Sequence, residues 1–223
     1  MDVEIIQTGS RGNCVILDKT ICLDLGVSWK KIRKHINDLQ LVFISHSHAD
    51  HFNASTILRL HKYRPSLRFC GNIDVASHLL EDGVKMRNID LLEEGKTYDY
   101  GFAKIEPFPL FHDKLNHGLK IYKDGQKAIY IVDTGHLDGI EAKDFDLYLV
   151  EANHYEAEIE ERAQEKLAAG EYSYEVRAAK FHLSYEQATD WLVKNMGQNG
   201  IWYPLHQHEE RREECQQEND ITG

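Results

Sequence analysis

The chain has 223 residues, and its 26 lysines and arginines against 37 aspartates and glutamates give a net charge of −11. This length fits one large domain or two small ones, while the negative charge opposes binding to duplex nucleic acid, which depends on phosphate neutralisation. The apolar runs, such as residues 128–132, are far shorter than the roughly 18 residues of a membrane span. Without a basic, apolar leader or a pattern of paired cysteines, the sequence predicts a cytoplasmic protein with reduced thiols.

The first third of the chain alternates predicted strands and helices. Residues 3–8, 13–18 and 20–24 are predicted strands, and Gly9 and Gly12 permit the turn between the first two. Trp29, Ile32 and Ile36 lie at helical spacing, so a helix is predicted over residues 27–36. The pattern continues with a strand, a helix, a strand and a second helix, at residues 41–45, 54–63, 67–70 and 74–83.

The rest of the chain is rich in strands up to its middle and in helices after it. The predicted strands are residues 104–110, 118–123, 127–133 and 146–151. An acidic, strongly helical run follows at residues 156–170, and Ser184 with Gln187 forms a capping box for a helix at residues 185–196. Residues 201–205 are the last predicted strand. Strands interspersed with helices, without a repeat or a linker, indicate one α/β or α+β domain with mixed sheets.

The segment LVFISHSHADHFN, residues 41–53, places three imidazoles and a carboxylate directly after a buried strand. His46 and His48 are two residues apart, so their side chains leave the same face of extended backbone. Asp50 and His51 follow where the chain begins to turn, and they therefore point elsewhere. This arrangement predicts metal binding, with two neighbouring sets of ligands.

Several other polar residues stand where apolar runs end, which is where sites on strands are usually built. The positions are Asp24 after residues 22–23, His112 and Asp113 after residues 108–111, Asp133 after residues 130–132, Glu151, Asn153 and His154 after residues 147–150, and His206 after residues 201–205. Each one alone is weak evidence, and a single Asp after a strand is more often a turn former. Together with the His46–His51 cluster, they predict one site assembled from several strand ends.

These residues resemble the ligand pattern of the metallo-β-lactamase superfamily over nearly the whole chain. The resemblance implies two metal ions, with His46, His48 and His112 on the first, Asp50, His51 and His206 on the second, and Asp133 bridging them. Asp24 is then an acid behind the ligands that orients them. Imidazole ligands favour zinc, and manganese is the alternative because carboxylates contribute.

Two branches of the superfamily share further motifs with this chain. The segments TGSRGNC, LDLG and EANH resemble the YycJ/WalJ-type hydrolases, and DLYLVEAN followed by FHLSYEQATDWL resembles the layout of ribonuclease Z. In the latter layout a Glu at a strand end works with a His before a helix, which here are Glu151 and His182. If the two meet, the carboxylate favours a protonated His182 that can donate to a leaving oxygen. Asp50, His182 and Glu151 are accordingly the candidate catalytic residues.

The resemblance implies a dinuclear metal-dependent hydrolase of phosphodiester bonds, in which a hydroxide bridging the metals attacks phosphorus. The favoured activity is a nuclease acting on single-stranded nucleic acid or on ends. The alternatives are a phosphodiesterase for small or cyclic nucleotides, a lactone or ester hydrolase, and a binding module without catalysis. The chain has no long insertion of the kind that transfer-RNA processing enzymes use to hold their substrate.

The implied fold is α+β, an αββα four-layer sandwich in which two mixed sheets pack face to face with helices outside. Residues 1–223 are predicted to be one such domain, with a polar tail at about residues 209–223. His208 is the alternative to His206 as last ligand, and His206 is favoured because it directly follows the strand. The basic cluster WKKIRKH, residues 29–35, is expected to be a solvated helix face, with the tracking of phosphates as the alternative.

Overall fold

A computed structural model describes residues 1–170 and 174–207 of the chain. Its strands fall into two six-stranded sheets. The first sheet has the order β1 to β6, and these strands are Val3–Gln7, Cys14–Leu17, Ile21–Leu23, Leu41–Phe43, Arg68–Gly71 and Ile89–Leu91. The second sheet has the order β12 to β7, and from β7 onward the strands are Tyr98–Asp99, Lys104–Leu110, Asn116–Lys123, Gln126–Ile131, Leu147–Glu151 and Ile201–Leu205.

Both sheets are mixed, as the sequence predicted. β3, β4, β5 and β6 are parallel neighbours, and so are β10, β11 and β12, whereas the remaining pairs are antiparallel hairpins. Helices connect most of the parallel strands, because a parallel pair needs a crossover, whereas the connection from β10 to β11 over residues 132–146 contains turns and no helix. These helices are α1 (Trp29–Ile32), α2 (Ala54–Tyr63), α3 (Ile73–Glu81), α4 (Glu156–Ala168), α5 (Tyr174–Phe181) and α6 (Tyr185–Asn195).

Three buried clusters separate four layers. On β4, Leu41 and Phe43 face the second sheet and pack with residues such as Leu119 and Tyr130, because alternate side chains of a strand point to opposite faces. Val42 points the other way and packs against the apolar sides of α1, α2 and α3. A third cluster lies between the second sheet and α6. The predicted α+β four-layer sandwich is thus confirmed.

The first helix is shorter than the sequence predicts. The predicted helix over residues 27–36 has helical geometry only over Trp29–Ile32, followed by turns. The Arg64 guanidinium at the end of α2 donates to the carbonyls of Ile36, Asn37 and Leu39, so these acceptors are satisfied without a helix. The sequence reading also missed α5 and the short strands β6 and β7. The predicted tail at about residues 209–223 lies outside the described residues, and the single domain over residues 1–223 stays a prediction.

Among the helices of the described residues, none combines the length and the apolar composition that a membrane-spanning segment needs.

Candidate metal centre

Six of the predicted site residues stand at or just after the carboxyl ends of strands. Asp24 follows β3, His46 follows β4, His112 follows β8, Asp133 follows β10, Glu151 ends β11 and His206 follows β12. Asp24, Asp133 and His206 have φ angles of 58°, 54° and 52°. This left-handed backbone is uncommon for residues other than glycine and clusters at functional sites.

Asp24 organises the ligands from beneath. It has no exposed surface, and its Oδ1 accepts a hydrogen bond from the Ser45 backbone amide at 2.7 Å. Its Oδ2 lies 2.9 Å from Ser45 Oγ, 2.6 Å from His51 Nδ1 and 2.7 Å from the Tyr130 hydroxyl. An ionised carboxylate only accepts, so His51 carries its proton on Nδ1 and keeps the Nε2 lone pair for a metal.

Ser45 links Asp24 to a second imidazole, that of His46. Its hydroxyl donates to Asp24, so at 3.0 Å from His46 Nδ1 it acts as acceptor, which leaves His46 Nε2 as the ligand atom. The sequence reading predicted Asp24 but neither Ser45 nor Tyr130. For Ser45 the available signal was its position directly before His46, whereas Tyr130 lies 106 positions from Asp24.

The first predicted ligand set is brought together. His46 Nε2 lies 3.0 Å from His48 Nδ1, and His112 Nε2 lies 3.3 Å from the same atom. Asp133 Oδ2 lies 3.4 Å from His46 Nε2 and 3.8 Å from His112 Nε2. Ligands about 2.0–2.1 Å from a tetrahedral metal are about 3.3 Å apart. These four side chains therefore fit a metal without rearrangement.

The second predicted set has similar spacing. His51 Nε2 lies 3.4 Å from Asp50 Oδ2 and 3.2 Å from Asp133 Oδ2. His206 Nε2 lies 3.5 Å from Asp50 Oδ2 and 3.4 Å from Asp133 Oδ1. Asp133 belongs to both sets, and its buried Oδ1 has no hydrogen-bond partner among the described residues. An orphaned carboxylate oxygen inside such a ring of imidazoles fits a shared metal ligand.

The charges at this site favour a cation. Burial alone would lower the pKa of His206, but Asp133, Asp50 and Glu151 raise that pKa to about 10. Burial would also lower the pKa of His51, but the carboxylates of Asp133 and Asp24 outweigh this effect and raise the pKa well above its ordinary value. The negative charges that stabilise protons on these two rings would also stabilise a divalent cation. A metal ion replaces such protons when it binds.

Glu151 and His182 are in contact, as the sequence reading required. Glu151 Oε1 lies 2.6 Å from His182 Nδ1 and 3.2 Å from His206 Nδ1, and the two rings stack with centroids 5.0 Å apart. Glu151 Oε2 accepts from the backbone amides of Thr134 and Leu183. Asp133, Glu151, His182 and His206 could by spacing alone hold a further ion. With both Glu151 oxygens occupied, the geometry instead describes a carboxylate that orients two imidazoles.

A cavity of about 280 Å³ opens over the ligands, and its walls include Asp50, His112, Asp133, His182 and His206. Arg177 and Phe181 of α5 also line it, and neither was predicted because α5 itself was not. Arg177 pairs with Asp113, whose Oδ1 lies 3.4 Å from His48 Nε2 and 3.2 Å from His112 Nε2. The mouth of the site thus carries the ion pair of Arg177 with Asp113, and the sequence analysis did not predict the arginine.

The remaining histidines lie away from the ligand sets. His154 is buried and does not line the cavity, and His117 is buried beside Glu94. His35 and His61 are buried within the first helical layer, while His78 is half-buried and His136 is exposed. His208, the alternative last ligand, lies outside the described residues.

Gly26 lets the chain pass against the ligand loop. A Cβ added at Gly26 would come within 1.7 Å of the Asp50 carbonyl oxygen and 2.7 Å of the His51 nitrogen. We therefore expect Gly26→Ala to displace both ligands, lowering metal content and destabilising the fold by about 1–3 kcal/mol or more. Thermal unfolding and elemental analysis measure this, with Gly95→Ala as control because no atom lies within 4 Å there, although its φ of 71° adds strain. Equal effects in the two variants would contradict the expectation.

Comparisons with known proteins agree with this geometry. The model of the β-lactamase superfamily domain matches residues 25–206. The chain belongs to this superfamily. The predicted resemblance is confirmed, and the chain is a metal-dependent hydrolase of the metallo-β-lactamase fold.

The chain is also similar to particular members of the superfamily. It is 29% identical over 216 residues to the exodeoxyribonuclease WalJ of Streptococcus pneumoniae, covering 86% of this chain and 76% of that protein. The exodeoxyribonuclease YycJ of Bacillus anthracis is 22% identical over 165 residues, covering 67% and 62%. Among solved structures, human tRNase Z, short form, superposes with a TM-score of 0.68 at 16% identity, covering 95% of this chain and 94% of that one. The last similarity concerns the fold alone.

Proposed function

We propose that this chain is a nuclease that hydrolyses phosphodiester bonds in single-stranded DNA or at DNA ends, with two divalent metal ions. The observation that carries the proposal is the pair of ligand sets joined at Asp133, next to an imidazole, His182, that is oriented by a carboxylate and takes no part in the first two sets. The two relatives named exodeoxyribonuclease support the choice of DNA.

The first ion would be held by His46, His48 and His112 and the second by Asp50, His51 and His206, with Asp133 shared. When bound, the ions supply Lewis acidity toward the phosphate and lower the pKa of a water that serves as nucleophile. The imidazole-rich set favours zinc, and the carboxylates make manganese the alternative. Asp24 keeps the ligand atoms of His46 and His51 aimed at the centre.

His182 is the candidate proton donor to the leaving oxygen. Its Nδ1 lies 2.6 Å from Glu151 Oε1, so the carboxylate orients the ring, which lines the cavity. The stack on His206 fixes the plane of the ring relative to the second ligand set. Phosphodiester cleavage expels an alkoxide that needs a proton, and an oriented imidazole beside the ligands supports His182 as the proposed donor.

The proposed function is tested by the substrates that metal-loaded protein cleaves. We expect turnover of bis(p-nitrophenyl) phosphate and of single-stranded DNA, with slower turnover of duplex DNA except at its ends. Cyclic mononucleotides and RNA test the alternative phosphodiesterase activities, and lactones test ester hydrolysis. Turnover of cyclic nucleotides without DNA would replace the nuclease by a small-nucleotide phosphodiesterase, and turnover of lactones alone would refute phosphodiester chemistry altogether.

Asp24→Asn tests the orienting role of the buried acid. Asparagine keeps the size of the side chain, but its amide nitrogen cannot accept from His51, Ser45 or Tyr130. We expect about 10–100-fold weaker metal binding or turnover, the usual cost of losing an outer-shell partner. Tyr130→Phe is the matched control, because it removes one hydrogen bond to Asp24 and leaves the one from His51. Metal competition with a chelator gives the affinities, and equal losses in the two variants would show that Asp24 acts on stability alone.

A further inference from the structure

The charge of this acidic chain is unevenly distributed. Residues 25–64 carry seven lysines and arginines and two aspartates, in a chain whose net charge is −11. Six of these seven basic residues lie on α1, on the turn after it, and on α2, and the seventh, Arg64, directly follows α2. These residues therefore give a basic face to the outer helical layer of the first sheet.

Some of these cations have structural partners, and others do not. Lys31 contacts Gln7, Lys34 forms an ion pair with Glu4, and Arg64 holds three backbone carbonyls. Of these seven cations, Lys30, Arg33 and Lys62 are exposed and have no ion pair, hydrogen bond or ring contact with residues 1–170 and 174–207. Cations that are not neutralised within the fold are available to an external anion.

Aromatic rings lie among these cations. The Arg59 guanidinium stacks over the Trp29 ring at 4.5 Å from its centroid, and the Tyr63 ring meets Trp29 edge-on at 6.0 Å. Tyr63 is 59% exposed although it is a large ring on a helix. On α2, Arg59, Lys62 and Tyr63 have helical spacing of three and four residues and share a face. We call the set the α1–α2 patch: Trp29, Lys30, Arg33, Arg59, Lys62 and Tyr63.

The helices of the α1–α2 patch are tied to the ligand loop by backbone hydrogen bonds. The Leu25 amide donates to the His51 carbonyl at 3.0 Å, and the Asn53 amide donates to the Leu25 carbonyl at 2.9 Å. Asn53 is also the N-cap of α2, so both helices begin within a few residues of the ligand loop. Arg59 lies about 8 Å along α2 from its first residue, at 1.5 Å per residue. A strand that leaves the metal centre along α2 would meet the patch in the second half of this helix.

We propose that the α1–α2 patch binds the single DNA strand that extends from the metal centre. Backbone phosphates would contact Lys30, Arg33 and Lys62, and a base would stack on the exposed ring of Tyr63. Cations combined with exposed aromatic rings are the usual means of holding single strands without sequence preference. The acidic remainder of the surface repels a polyanion and so confines the strand to this face. The proposal rests on the proposed nuclease function and names how its substrate is held.

The first test combines Arg33→Gln with Lys62→Gln in the full metal-loaded chain. The probe is oligodeoxythymidylate longer than the about 4–16 nucleotides that one single-strand site covers. We expect a higher KM for this strand and a weaker salt dependence, with the slope of log affinity against log salt reduced by about 0.7 for each phosphate that is no longer neutralised. Lys143→Gln with Lys194→Gln is the matched control, since both lysines are exposed and lie outside the patch. Equal KM values and equal slopes in the two double variants would overturn the proposal.

The second test separates stacking from charge. Tyr63→Ala should weaken binding of the same oligonucleotide at least about fivefold, the low end of the loss for one stacked base, and Tyr63→Phe should restore it. An unchanged affinity in Tyr63→Ala would show that no base stacks on this ring. Vesicles of anionic phospholipid are the competing polyanion. Loss of vesicle binding in Arg33→Gln with Lys62→Gln, at unchanged oligonucleotide affinity, would assign the patch to a membrane surface instead.

These outcomes are distinguishable from failure of the proposed function. Turnover of bis(p-nitrophenyl) phosphate, which is too small to reach the patch, should be the same in wild-type protein and in every patch variant. Fluorescence anisotropy of the labelled oligonucleotide reports binding even where no cleavage occurs. Oligonucleotide binding that depends on the patch, without DNA cleavage, would refute the nuclease function and support the patch as a binding surface. DNA cleavage that is unaffected by the patch variants would support the nuclease function and refute the role of the patch.

Discussion

Asp133→Ala should abolish turnover and lower the metal content of the purified protein. Asp133 is the residue common to both ligand sets, with Oδ2 at 3.4 Å from His46 Nε2 and at 3.2 Å from His51 Nε2. Its removal would take a ligand from each of the two proposed ions and leave the His51 and His206 rings without their nearest shared carboxylate. We expect turnover of bis(p-nitrophenyl) phosphate to fall by more than the about 100-fold that outer-shell partners cost.

The control for this variant is Asp113→Ala. Asp113 also lies within 3.4 Å of two candidate ligands, but it pairs with Arg177 at the mouth of the site and belongs to neither ligand set. We expect it to retain both metals. Elemental analysis after mild dialysis gives the stoichiometry, and up to two ions per chain are expected in the wild type. A single tightly held ion that is unaffected by Asp133→Ala would remove the bridging role.

His182→Ala should retain both metals and lose activity in a way that depends on the leaving group. An alkyl phosphodiester releases an alkoxide that must be protonated, so we expect a loss on the order of 100-fold, within the usual range for general acid catalysis. A p-nitrophenyl ester releases a stable phenolate and should lose far less. The comparison of the two substrates on one variant is therefore specific for proton donation.

His136→Ala is the control for His182→Ala. His136 is an exposed imidazole that belongs to none of the three groups of candidate ligands. We expect it to leave both rates and both metals unchanged. Equal losses on the two substrates in His182→Ala would show that His182 positions the phosphate, and loss of an ion would show that it is a metal ligand.

Much of the site could be predicted from the sequence because ligand chemistry is a property of residue type and local spacing. His46, His48, Asp50 and His51 lie within six residues, and the alternation of a strand separates the first pair from the second. Asp24, Asp133 and His206 stand directly after apolar runs, so the ends of the strands could be located before their arrangement was known. The alternation of strands and helices similarly predicted mixed sheets, and the family resemblance supplied the four layers.

The tertiary structure decided which groups serve more than one partner. Asp24 controls His51 directly and His46 through Ser45, and Glu151 holds His182 and His206 together although they are 31 and 55 positions away along the chain. Such sharing depends on sheet order, because it requires strands distant in sequence to end side by side.

The backbone conformation of the site also could not be predicted from the sequence. Asp24, Asp133 and His206 adopt left-handed backbone, which neither aspartate nor histidine requires by its own chemistry. α5 was missed for a similar reason, since it has little buried apolar surface of its own and its position over the cavity depends on contacts such as that of Arg177 with Asp113. Local residue pattern determined the chemistry of the ligands, whereas long-range packing decided their atoms, their orientation and what covers them.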